Sequence, residues 1–104
     1  MKKKNIVRSN ILFNEIIQNG VRTQNRYFII CSSPNNENSS KFGVAVGKKV
    51  GNAVIRNKIK RQVRNIIDNN INMFSNNHNY IIISKKAVLN ISFQEMNDYL
   101  MDLL

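Results

Sequence analysis

One cysteine, one proline, one histidine, no tryptophan and six acidic residues in 104 positions leave few routes to chemistry. Cys31 alone forms no internal disulfide and no thiolate metal cluster; within Tyr27-Phe28-Ile29-Ile30-Cys31 it reads as a small apolar filler of a strand. A nuclease made of protein needs clustered carboxylates around metal ions, or a histidine beside a nucleophile. His78 stands alone in the asparagine-rich turn Ser75-Asn76-Asn77-His78-Asn79, where it is expected to be exposed. Glu95, Asp98 and Asp102 fall at i, i+3 and i+7 of the last helical pattern. A solvated face opposite Met96, Leu100 and Leu103 accounts for them better than a metal site does. No catalytic residue and no protein-held metal emerges.

Long apolar runs are missing too. No stretch approaches the roughly 20 apolar residues of a membrane span. The basic opening Lys2-Lys3-Lys4 starts as a secretory signal would, yet Asn5, Arg8, Ser9 and Asn10 interrupt the apolar stretch that should follow. A membrane-surface role calls for an amphipathic basic helix with bulky aromatics, or for a lipidation signal, and neither is present. The phosphate-binding order Gly-x4-Gly-Lys followed by Ser or Thr is absent as well. A cytoplasmic protein with no membrane partner and no small-molecule substrate is expected.

What the sequence does have is positive charge. Sixteen Lys and Arg give a net charge of +10 and a pI near 10.2, a large field for so small a chain, so the partner should be a polyanion. Hydrophobic residues make up 42% and fall into periodic segments, which argues for a folded domain despite a mean hydropathy of -0.34. The length suits one domain, residues 1–104, burying roughly two-thirds of its unfolded surface.

Ser9 or Asn10 can cap a first helix through Gln18, with Ile11, Leu12, Ile16 and Ile17 on its buried side and Gly20 ending it. Val21 to Ser32 is rich in β-branched and aromatic residues and reads as one or two strands. Ser33 to Ser40 reads as turn and loop, and Phe42 to Val46 as a further strand. Asn52 can cap a long helix from about Ala53 to near Asn69. Tyr80-Ile81-Ile82-Ile83-Ser84 has the length and continuity of a central strand buried on both faces. Ser92-Phe93-Gln94-Glu95 is a capping box, after which Phe93, Met96, Tyr99, Leu100, Leu103 and Leu104 keep helical spacing to the end. The order α-β-β-β-α-β-α describes an α+β sandwich, a mostly antiparallel sheet with helices.

Charge concentrates in the long helix and the turn before it. No acidic residue lies between Lys41 and Asp68, while Lys41, Lys48, Lys49, Arg56, Lys58, Lys60, Arg61 and Arg64, half of all the cations, lie inside. At about 100° per residue, Ile55, Ile59, Val63, Ile66 and Ile67 share one arc and the cations fill the rest. A solvated basic face is the ordinary account of such a helix. Here like charges without acidic i+4 partners repel, and a polyanion would offset that cost. Arginine grips phosphate oxygens in pairs and stacks on bases, and Asn57 adds a donor and an acceptor. The Gly47-Lys48-Lys49-Val50-Gly51 turn adds two lysines at the helix N-terminus, whose dipole favours an anion. Arg56 and Arg64 are both expected to be exposed.

The segment Lys48-Lys49-Val50-Gly51-Asn52-Ala53-Val54-Ile55-Arg56-Asn57-Lys58-Ile59-Lys60-Arg61-Gln62-Val63-Arg64 resembles the RNR signature of the bacterial ribonuclease P protein component. The likeness extends to Phe13 ahead of the Asn19-Gly20 helix end, to Asn25-Arg26-Tyr27-Phe28 entering a strand, and to Tyr80-Ile81-Ile82-Ile83. The resemblance implies a ribosomal-protein and elongation-factor-G-like domain with a left-handed β-α-β crossover carrying the basic helix; periodicity alone would favour the right-handed choice. It also implies that catalysis belongs to a partner RNA with Mg2+, the particle freeing the 5′ end of tRNA from its precursor. By position, the resemblance makes Arg56, Asn57, Lys60, Arg61 and Arg64 the RNA-facing set, with Lys48, Lys49 and Asn52 beside them. It assigns Phe13, Ile17 and Cys31 to a leader cleft between the first helix, the sheet and the basic helix. Ile17 and Cys31 stand where the family often has aromatics, and Gly47 where a serine is common, so base stacking should be weaker here and backbone contacts should dominate.

Two other readings share the charge and size. A basic ribosomal protein is separated from the first only by the signature residues, and a DNA-binding module lacks the neighbouring helix or zipper it would need.

Overall fold

Residues of alternating parity on the two central strands point to opposite faces, and in this chain both parities are apolar, so both faces need a cover. The computed structural model describes residues 1–2 and 5–104; Lys3 and Lys4 of the basic opening lie outside the described residues. The order is α1 (Asn10–Asn19), β1 (Val21–Gln24), β2 (Phe28–Pro34), β3 (Lys41–Val46), α2 (Ala53–Asn69), β4 (His78–Ser84) and α3 (Phe93–Met101). Single 3-10 turns occupy Lys48–Val50, Ile71–Met73 and Lys86–Asn90.

The strands form one sheet in the order β1-β2-β4-β3. β1 pairs antiparallel with β2, β2 antiparallel with β4, and β3 parallel with β4, so the crossover through α2 joins neighbouring parallel strands. Phe28, Ile30, Phe42, Tyr80 and Ile82 point to one face and pack with Ile59, Val63, Ile66 and Ile67 of α2 and Met96 and Leu100 of α3. Cys31 and Ile81 point to the other face and pack with Val7 and with Ile16 of α1. The result is three layers, α1 on one side of the sheet and α2 with α3 on the other. β4 is the strand that both layers need, and Ile81 and Ile82 are each fully buried, as its unbroken apolar run predicts.

Local chemistry sets the joints. Ser9 Oγ accepts from Leu12 N–H at 3.2 Å and caps α1. Gly20 ends α1 for reasons of space, not handedness. Its φ is -75°, but a side chain there would start 2.5 Å from the Ile16 carbonyl oxygen and 2.6 Å from that of Ser32. Asn25 makes the β1–β2 corner: its Oδ1 accepts from the N–H groups of Tyr27 and Phe28, both at 2.9 Å, and its Nδ2 donates to the Tyr99 carbonyl at 2.8 Å. Phe42, Phe74 and Tyr80 close the end of the α2 layer, with ring centroids 5.0 to 5.5 Å apart. The Ser92–Glu95 capping box opens α3.

Several expectations need correction. Ile11 is 82% exposed, because the sheet-facing stripe of α1 runs through Leu12, Phe13, Ile16 and Ile17, and Ile11 lies across the helix from it. Ile55 is 38% exposed; the buried stripe of α2 starts one turn later, at Ile59. β2 runs on through Ser33 and Pro34, and β4 begins at His78, because the register continues as Ser33 opposite Asn79 and Pro34 opposite His78. His78 is therefore a half-buried strand residue, its ring centroid 6.0 Å from that of Tyr80. α3 stops at Met101, and Leu104 is 44% exposed.

Replacing Asn25 tests the corner. Asn25→Ala should destabilise the protein by about 1–3 kcal/mol in urea unfolding, since two N–H groups and one carbonyl lose their partner. Asn25→Asp keeps the acceptor and should lose clearly less; equal losses would show that the turn bonds contribute nothing.

Candidate nucleic-acid interface

α2 is divided lengthwise. Ile59, Val63, Ile66 and Ile67 are 0 to 5% exposed, and burying each stabilises the fold by roughly 1.5–3 kcal/mol. Asn57, Lys60, Arg61 and Arg64 fall on an arc of about 100° on the other flank, while Arg56 projects at the angle of the buried stripe, between Val63 and Ile67. Among the described residues the ion pairs are Met1 amino group–Asp68 at 2.9 Å and Lys41–Glu37 at 3.0 Å, so no cation of α2 is neutralised by a carboxylate. Asn57, Arg61 and Arg64 are exposed, and Lys60 is half-buried.

Arg56 departs from expectation. It is half-buried, and its Nε is buried with no hydrogen-bond partner among the described residues. Its neighbours hold the near end of the guanidinium in the protein body, and a buried donor without an acceptor raises the energy of the free state. Arg64 is exposed as expected.

Lys48 and Lys49 are exposed in the 3-10 turn that leads into α2. Asn52 is exposed and caps the helix, its Oδ1 accepting from Ile55 N–H at 3.0 Å. A side chain at Gly47 would meet open space, so the serine of the family pattern would fit there without rearrangement. The turn and the Arg56–Arg64 flank thus make one cationic ridge beside the β3 edge.

The residues assigned to a cleft are placed differently. Because α1 and α2 cover opposite faces, no cleft lies between them; the open strip flanks α1 on its own face. Phe13 and Ile17, one helical turn apart, are half-buried along α1. Cys31 is fully buried beneath α1 with Ile16 and Ile81, as an apolar filler would be, and presents nothing to a ligand. The side chains that take its place at the surface are Ile29 and Ile83, opposite each other and half-buried, with Ala45 next to Ile83 on β3. Gln24 and Arg22 of the exposed β1 edge lie opposite Ile29 and Cys31 and extend this face. Ala45 is two residues before Gly47, so the strip opens towards the lysine turn. Alternation along β2 and β4 points to Ile29 and Ile83 once pairing is known, but the sequence alone does not give the register.

The outer face of α3 has the opposite character. Glu95, Asp98 and Asp102 are all exposed. The Tyr99 phenol is pushed above its ordinary range, first by the neighbouring Tyr27 phenol and also by Glu95 and Asp102. Among the described residues no three His, Cys, Asp or Glu side chains come together as metal ligands would, and no helix is long and apolar enough to cross a membrane.

An α+β domain with one cationic helix ridge and no acidic counterpart on it is of the polyanion-binding class. Comparison narrows the class. The family model for Ribonuclease P matches residues 1–104. The Ribonuclease P protein component of Mycoplasma mycoides is 39% identical over 105 aligned residues, covering 100% of this chain and 96% of that protein. That of Streptococcus pneumoniae is 35% identical over 104 residues, covering 100% and 85%. Among solved structures, the RNase P protein from Thermotoga maritima superposes with a TM-score of 0.86 at 29% identity, covering 94% of this chain and 93% of that one. A Staphylococcus aureus RNase P protein mutant gives 0.90 at 29% identity, covering 98% and 86%. The chain belongs to the ribonuclease P protein family, and is a protein subunit of that ribonucleoprotein endoribonuclease of tRNA 5′ processing, with RNA as its partner.

The ridge makes a measurable demand. Arg64→Ala and Arg61→Ala should leave the circular dichroism spectrum unchanged and each flatten the dependence of log K on log salt for RNA binding by about 0.7–0.9 for every phosphate left without its cation. An unchanged slope in both would remove these side chains from the interface. Arg56→Ala should lower RNA affinity and also change thermal stability, because its stem is packed.

Proposed function

We propose that residues 1–104 act as one RNA-binding domain that contacts ribonuclease P RNA through the α2 ridge and holds the single-stranded 5′ leader of precursor tRNA along the strip beside α1. The observation that carries this reading is the division of α2: its aliphatic flank is sealed to the sheet while Arg56, Lys60, Arg61 and Arg64 have no carboxylate partner among the described residues. A polynucleotide laid along that flank supplies the missing anions. Lys48, Lys49, Asn52 and Asn57 extend the contact at the helix N-terminus, where backbone N–H groups favour phosphate.

The leader strip works differently. Phe13 offers the one aromatic side chain of the assigned set, and Ile17, Ile29 and Ile83 offer aliphatic surface. One base stacks on Phe13, and the rest of the leader is held through its backbone by the lysine turn. Ribonuclease P generally uses Mg2+. Among the described residues Glu37 and Asp68 are engaged in ion pairs, and no three His, Cys, Asp or Glu side chains come together as metal ligands would. In this reading Mg2+ is held mainly by the partner RNA, and the protein's part is binding and positioning. The protein works in the cytoplasm, where precursor tRNA is available, and has no membrane or small-molecule partner.

Phe13→Ala tests the division of labour in the assembled particle. Affinity for precursor tRNA with a leader should fall by about five-fold or more, the cost of one stacked base, with mature tRNA binding unchanged. Equal losses for both would place Phe13 in the fold or the RNA ridge, not in a leader site.

A further inference from the structure

Phe13 sits on α1, yet its ring is placed by a residue thirty positions later. Gly43 is buried on the α1-facing side of β3, opposite Ile81. A methyl group at 43 would start 2.7 Å from Cε2 and 3.1 Å from Cδ2 of Phe13, and 2.6 Å from Cδ1 of Ile81. Carbon atoms in contact need about 3.5–4.0 Å, so the bare backbone of Gly43 is the surface on which the ring rests. Backbone conformation does not call for glycine here, since no glycine lies in the left-handed region among the described residues, and a strand interior disfavours it. The absent side chain is explained by the ring above it.

We infer that Gly43 is a positioning residue for leader binding, acting through Phe13 by letting the ring lie low against β3 with one face open to the strip over Ala45 and Ile83. This rests on the leader reading of Phe13. Any side chain at 43 lifts or turns the ring. The reduced affinity should then appear for leader-bearing substrate alone, although Gly43 itself touches no RNA.

The test is a double-mutant cycle in the holoenzyme, with leader-bearing precursor and mature tRNA as ligands. Gly43→Ala should weaken precursor binding about five-fold or more, the loss expected for one stacking platform, and leave mature tRNA binding unchanged. In the Phe13→Ala background the same change should add nothing further, because the ring it acts through is gone. Gly43→Ala binding precursor as well as the parent, or an undiminished second loss in the Phe13→Ala background, would overturn the inference. Should Gly43→Ala fail to fold, Gly43→Ala with Ile81→Val removes the aliphatic clash and leaves only the ring to be displaced.

Ring position is read separately by the nuclear Overhauser effect between Gly43 Hα and the Phe13 ring protons in the full chain. A strong effect in the parent supports the seating whatever the leader does; its absence in the parent sinks it. If the effect is present and Phe13→Ala shows no leader selectivity, the leader reading fails and with it the functional half of this inference.

Discussion

Everything in this molecule depends on α2 being held by one flank only. Four buried aliphatic side chains, Ile59, Val63, Ile66 and Ile67, fix the helix to the sheet, each contributing about 1.5–3 kcal/mol. Against them stand the like-charge pairs Arg56–Lys60, Lys60–Arg64, Lys58–Arg61 and Arg61–Arg64, each costing about 0.2–0.5 kcal/mol. The repulsions together are comparable to one buried isoleucine. The helix therefore stays in place with its cations unneutralised, and a strong positive ridge persists without RNA. A helix whose arginines were matched by i+4 glutamates would be steadier and useless for this purpose.

The sheet turns that constraint into two surfaces. Since β4 is apolar on both faces, it needs α2 and α3 on one side and α1 on the other, which sets the cationic ridge and the Phe13 strip on opposite faces. They meet around the end of β3, where Ala45 on the strip is followed by Gly47, Lys48 and Lys49 at the foot of the ridge. A single strand leaving the strip at that end passes the lysine turn next. α3 packs beside α2 in the same layer and exposes Glu95, Asp98 and Asp102, so the exposed carboxylates of α3 and the cations from Arg56 to Arg64 belong to different helices.

Much of this was legible in the residues. The 3.6 period of α2, its Asn52 cap and the unbroken run of β4 announced their elements with near-correct limits, because propensity, capping and burial agree there. The alternating strands did not reveal which helix covers which face: period two shows that both faces are buried but not by what. The cleft between α1, the sheet and α2, with Cys31 in it, comes from the family resemblance and not from this alternation; the packing puts the two helices on opposite faces and Cys31 beneath α1. Ser33 and Pro34 look like loop by composition, and only pairing with Asn79 and His78 makes them strand. The partial burial of Arg56 follows from the helical period, which places it between Val63 and Ile67, whereas the contact of Phe13 with Gly43 joins residues distant in sequence and has no local signal.

The central claim is that RNA lies along the α2 flank and not along α3, and tethered cleavage reads it directly. With Cys31 buried, a hydroxyl-radical-generating iron chelate can be attached to a single introduced cysteine, either Arg61→Cys on the ridge or Asp98→Cys on α3. In the assembled particle the tether at 61 should cut ribonuclease P RNA at a few discrete positions and the tether at 98 should leave it intact. Cleavage from 98 with none from 61 would contradict the account.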